Sequence, residues 1–232
     1  MSAHAQKTCL DLTVSSIQTI EGAPTVKGSA LGAAVLAVIL PFAFQSHRLI
    51  LSWVGNAAQV AQYSAAALVA IPAISVIQTV GQSLWGEFGS LAAEPSEQRE
   101  LFHRARWLLL GLAAFGSLGL CLAGPPVARW ATDFKVETPL PLYGAFAVML
   151  CAQALNTPPA MLLTDASGLR FQAVLSLVFA PVALISSVLL AILWGPIGPP
   201  LGTGIAIALT FAAPCYRRVR RMHGSLGSRN RQ

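Results

Sequence analysis

The sequence predicts an all-α, polytopic integral membrane protein with six transmembrane helices. Three observations carry this reading. Hydrophobic residues make up 55% of the 232-residue chain and charged residues only 10%, where soluble domains carry roughly 25% charged residues. The apolar residues are gathered into stretches able to cross ~30 Å of hydrocarbon, with short polar segments between them. Lys and Arg are also unevenly distributed. With the N-terminus inside, twelve of the fifteen fall in inside segments, and only Arg48, Arg129 and Lys135 fall outside. That bias predicts both termini in the cytoplasm of a cell whose inner membrane holds the protein. The net charge of +6 belongs to these membrane-flanking residues, so no nucleic-acid partner is expected.

Residues 1–27 are mostly polar. LDLTVSSIQTI is too short and too polar to span and lacks a signal-peptide layout, so it reads as a cytoplasmic lead-in. The transmembrane domain covers 28–216. Its first span, 28–44, carries a Gly28/Gly32 GxxxG spacing that permits close helix contact. Around the next stretch, His47 to Phe88, the rest of the chain is organised. It holds about thirty residues without a charge before Glu87, more than one straight crossing needs at ~1.5 Å per residue. Pro72 sits in its middle and predicts a kink. Gln59, Gln62, Tyr63, Gln78 and Gln82 are scattered through this second span, 57–85. Amides are costly against lipid, so the helix has a side facing protein or a cavity.

Glu87–Arg106 reads as a charged loop, with Pro95 and Ser96 starting a helix and Ser96 as its N-cap. Span three is 107–128, a short loop follows over Trp130–Pro141, and span four is 142–163. Asn156, Thr157, Pro158 and Pro159 interrupt span four late and read as a local kink with a capping side chain or as a broken helix lining a cavity. TDASGLR is a tight turn, span five is 171–194, GPIGPPLG is a rigid hairpin, and span six is 198–216. The basic tail, 217–232, reads as cytoplasmic and disordered beyond its first turn. All five tryptophans (Trp53, Trp85, Trp107, Trp130 and Trp194) fall at the expected interfaces. The acidic residues all lie outside the span cores, so no intramembrane carboxylate offers a proton relay. The four cysteines are far apart and form no CxxC, which argues for packing roles rather than disulfides. Neither a P-loop, HExxH nor GxSxG occurs, and the histidines have no ligand spacing. Neither enzyme chemistry nor a metal or cofactor is expected.

RLILSWVGNAAQVAQYSAAALVAIPA, followed by the charged EFGSLAAEPSEQRELFHRAR, resembles the second half of polysaccharide flippases. These belong to the multidrug/oligosaccharidyl-lipid/polysaccharide exporter superfamily. LLTDASGLRFQAVLSLVFAPVALISSVLLAILWGPIGPPLGTGIAIAL is similar to a later part of the same lobe, and together the resemblance covers about Gly28–Arg221. Two departures stand out. Family members usually carry about twelve spans in two six-span lobes, against six here. The acidic residue often found in the basic turn is replaced by Ser46 or His47.

The resemblance implies movement of a lipid-linked oligosaccharide across the membrane by alternating access. One lobe then pairs with a second copy or a separate lobe, or the chain is a truncated form. A phosphate-bearing substrate asks for cationic groups. Arg48 and Arg129 are the candidates, the alternative being interfacial snorkelling. Gln59, Gln62, Tyr63, Gln78, Gln82 and Asn156 are candidates for sugar hydroxyls, the alternative being interhelical hydrogen bonds and helix caps. A drug or small-solute exporter predicts instead a wide apolar cavity without arginine. A membrane scaffold subunit predicts a tightly packed bundle with no hydrated groove.

Overall fold

The computed structural model describes residues 46–90 and 95–229, together with Ala34 and Ala37. The lead-in, the rest of the first expected span and its GxxxG therefore lie outside the described residues. Every regular element described is helical. A short helix, α1, covers 46–54. It is followed by α2 (Ala57–Ser90), α3 (Pro95–Ala131), α4 (Leu140–Leu162) and α5 (Ala166–Trp194). After a 3-10 turn at Gly195–Ile197, the last arm runs as α6 (Gly198–Ala206), a π-helical segment (Ile207–Ala212) and α7 (Ala213–Arg229).

Four helical stretches are long and apolar enough to cross a membrane: Ala57–Ser90, Ser96–Ala131, Leu140–Leu162 and Ser167–Met222. The fourth is folded on itself. Gly195 takes φ 59, a left-handed value that glycine adopts without strain, and the chain returns along α5. Ser187 Oγ meets Thr203 Oγ1 at 3.2 Å. Further along, the rings of Phe179 and Phe211 lie 6.0 Å apart, and Arg218 reaches Ser167 at 3.0 Å. These pairs step in opposite directions along the sequence, so α5 and the last arm are antiparallel neighbours. Their contact is close because of glycine. A Cβ at Gly198 would lie 2.2 Å from the Leu190 carbonyl carbon, and one at Gly202 would lie 2.8 Å from the Ser187 nitrogen.

Helix α4 is the centre of the bundle. It packs against α2, α3 and the last arm. In its apolar window 56% of the residues are buried, against 39%, 22% and 28% in the other three stretches. The remaining surfaces carry exposed Leu, Val, Ile and Phe side chains such as Phe115, Leu122, Ile185 and Leu193, suited to lipid contact. Among the described residues the acidic side chains stay at the helix ends.

Three local expectations change. The stretch read as a loop over Glu87–Arg106 is largely helical: α2 continues to Ser90 and α3 begins at Pro95. Helix formers dominate it, Glu100 and Arg104 form an i,i+4 pair, and Phe102 is buried against Tyr216 with ring centroids 5.9 Å apart. Proline at the first helical position loses no intrahelical bond, so Pro95 rather than Ser96 opens the helix. At 37 residues, α3 is about 55 Å long at ~1.5 Å per residue, so it projects beyond the hydrocarbon. Span four is not broken either. Helix α4 continues through Pro158 and Pro159 to Leu162. Thr157 Oγ1 donates to the Gln153 carbonyl at 2.8 Å, and Gln172 Nε2 donates to the carbonyls of Ala160 and Leu163 at 3.0 and 2.6 Å. Those side chains serve backbone oxygens near the prolines, though not the Ala154 and Leu155 carbonyls whose i+4 N–H donors Pro158 and Pro159 remove. Finally, the basic tail is helical to Arg229.

Candidate functional site

A cavity of about 760 Å³ lies between α2, α4, α5 and the last arm. Along α2 its wall runs from Tyr63 to Gln82, about 28 Å at ~1.5 Å per residue, close to the thickness of the hydrocarbon layer. Ile71, Ser75, Gln78 and Gln82 line it at helical spacing, the pattern of a single helix face. Helix α4 contributes Phe146, Met149, Gln153, Asn156, Thr157 and Met161; α5 adds Leu169, Gln172 and Phe179, and the last arm adds Ile207 and Phe211. Ala37 also touches it.

The lining is apolar in area but amide-rich in its polar groups. Gln78, Gln82, Gln153, Asn156 and Gln172 all lie on it, and Arg48 is its one charged side chain among the described residues. Two of these amides stand out on α4. Among the described residues, Gln153 Nε2 and Asn156 Oδ1 are buried without a hydrogen-bond partner. Three residues apart, they share one helix face and present a donor and an acceptor. A buried polar atom left unpaired costs about 1–3 kcal/mol. An entering hydroxyl, able both to donate and to accept, would recover that cost.

A buried polar chain lies at the end of the cavity nearest α1. His47, only 1% exposed, contacts Tyr63 Oη through Nδ1 at 2.9 Å and Thr203 Oγ1 through Nε2 at 2.7 Å. Thr203 in turn meets Ser187 Oγ at 3.2 Å, and Ser187 Oγ lies 3.2 Å from the Pro199 carbonyl oxygen as its donor. The Tyr63 ring stacks obliquely on Phe146, 5.5 Å between centroids. This chain ties α1, α2, α5 and α6 together at one level of the bundle. The opposite end of the cavity reaches Thr164 and Leu169 at the α4–α5 turn.

Of the residues singled out in the sequence, Arg48, Tyr63, Gln78, Gln82 and Asn156 line this cavity together. Gln59 does not. It forms a capping box with Asn56: Asn56 Oδ1 accepts from the Gln59 N–H at 2.9 Å, and Gln59 Oε1 accepts from the Asn56 N–H at 3.3 Å. That arrangement serves two orphan donors at the start of α2. Gln62 is half-buried and off the lining. Arg129 is half-exposed and 3.6 Å from Glu137, in the α3–α4 connection, away from the cavity. His47, Gln153, Thr157 and Gln172 also line the cavity, although none is among the substrate-contact candidates read from the sequence. The spacing of Gln153 and Asn156 was readable, but only the fold shows which helix face meets the void. Among the described residues no group of three His, Cys, Asp or Glu side chains is placed to hold a metal ion. No protein-family model, curated protein or solved structure matches the chain.

Proposed function

We propose that the chain translocates a lipid-linked oligosaccharide or polysaccharide precursor across a cell's inner membrane, with both termini in the cytoplasm. In this reading it works as one lobe that pairs with a second copy or a separate lobe. The observation that carries the reading is the membrane-depth cavity, whose polar lining includes five amides and several hydroxyls and, among the described residues, one cation, Arg48. Neutral amides suit sugar hydroxyls, and a guanidinium suits a phosphate linkage. The void itself argues against a packed scaffold, and Arg48 and the unpartnered amides argue against a purely apolar drug cavity.

The test is complementation of surface polysaccharide in a strain lacking its own flippase. Gln153→Leu with Asn156→Leu keeps similar volume and removes the unpaired donor and acceptor. Surface polysaccharide is expected to fall at least about fivefold with membrane abundance unchanged, since each of the two lost hydrogen bonds to a substrate is worth about 0.5–1.5 kcal/mol. Full activity in the double variant would remove the amides from the transport path.

A further inference from the structure

At the end of the bundle opposite α1, the last arm carries four arginines in five residues, Arg217, Arg218, Arg220 and Arg221. They are not equivalent. Arg217, Arg218 and Arg221 line a separate pocket of about 320 Å³ with Pro214 and Phe171, whereas Arg220 does not line it. Pro214, Arg217, Arg218 and Arg221 follow i, i+3, i+4, i+7 spacing, so the pocket is one face of α7 set against the start of α5.

Arg218 is held in place. Its guanidinium lies over the Phe171 ring at 4.7 Å and donates to Ser167 Oγ at 3.0 Å. Arg217 and Arg221 are exposed, and none of the three is within ion-pair distance of a carboxylate among the described residues. The nearby carboxylate, Asp165, is joined to Arg218 only through Ser167; its oxygens accept from Ser167 Oγ at 2.6 Å and from the Gly168 N–H at 3.1 Å. The pocket is therefore cationic, with no directly paired carboxylate among the described residues. It also adjoins the lipid-facing surface. Phe171, Val174 and Val178 lie at i, i+3 and i+7 on α5, and Val174 and Val178 are 60% and 49% exposed.

We infer that this pocket binds the phosphate headgroup of an anionic membrane phospholipid. Arg217 and Arg221 fork onto its oxygens beside the pre-positioned Arg218, and an acyl chain lies along Val174 and Val178. Basic pockets between membrane helices suit this chemistry, and forked guanidinium donors match phosphate better than ammonium groups do. The inference stands independently of what the central cavity carries.

The full chain, purified in mild detergent, is titrated with dioleoyl phosphatidylglycerol and with dioleoyl phosphatidylcholine while bound lipid is counted by native mass spectrometry. One phosphatidylglycerol per chain is expected to bind in preference to phosphatidylcholine. At about fivefold per arginine, Arg217→Gln with Arg221→Gln should weaken binding about 25-fold, and Arg220→Gln should leave it unchanged. Unfolding temperature is followed alongside; if the double variant is unstable, each single variant must show its own fivefold loss. Equal losses in Arg220→Gln would mean diffuse charge rather than a site and would overturn the inference. So would wild-type binding in the double variant, or displacement of the lipid by an equal concentration of glycerol-3-phosphate, which would mark a soluble-anion site.

Discussion

Arg48 and His47 are neighbours in sequence with opposite fates. His47 is buried with both ring nitrogens engaged, while Arg48 is exposed on the cavity wall. A guanidinium can offer two parallel donors to a phosphate, and lysine offers only a point charge. Arg48→Lys is therefore expected to reduce export partly and Arg48→Ala severely, at unchanged membrane abundance, in the same surface-polysaccharide assay. Full activity in Arg48→Ala would return this residue to a snorkelling role. Among single residues, composition identified the polar outliers but not their duties. Gln59 and Gln78 look alike in sequence, yet one caps a helix and the other lines the void. Only position relative to the Asn56 cap distinguishes them, and the Asn-x-x-Gln spacing was the available signal.

At the scale of elements, apolar runs and the positions of Gly and Pro made the helices legible, while their ends were not. Charge was read as loop over Glu87–Arg106, but a helix leaving the membrane needs no apolar residues on its outer turns, and the i,i+4 pairing of Glu100 with Arg104 supports it. The prolines of α4 were read as a break, yet the helix runs through them to Leu162. The hairpin at GPIGPPLG was visible, and the same residues contain a second glycine pair, Gly198 and Gly202, that sets how closely α5 and the last arm meet. A methyl group at Gly202 would strike the backbone of Ser186 and Ser187 at 2.8–3.0 Å, whereas one at Gly111 meets nothing within 4 Å. Gly202→Ala should cost about 1–3 kcal/mol from overpacking. Gly111→Ala should be neutral or stabilising by up to ~1 kcal/mol through helix propensity. Unfolding temperatures of the two variants in detergent, side by side, check the contrast; equal values would mean that the α5 hairpin does not depend on glycine contact.

For the whole molecule, membrane insertion was legible because 55% hydrophobic content with 10% charge leaves no other solvent for these helices. The cavity was not legible, since a void is a property of four surfaces together and no one of them announces it. Orientation is open to direct measurement. In a cysteine-free background, an impermeant thiol reagent added to intact cells should label Ser52→Cys and Thr132→Cys but not Ser96→Cys; labelling at Ser96 would invert the topology. The proposed activity itself is best tested with the purified chain in proteoliposomes containing a fluorescent lipid-linked oligosaccharide, scoring the fraction protected from an external quencher over time. The cavity account predicts protein-dependent exchange between leaflets that falls at least about fivefold in the Gln153→Leu, Asn156→Leu variant. Exchange no faster than in protein-free liposomes, with the chain assembled as in the native membrane, would contradict it.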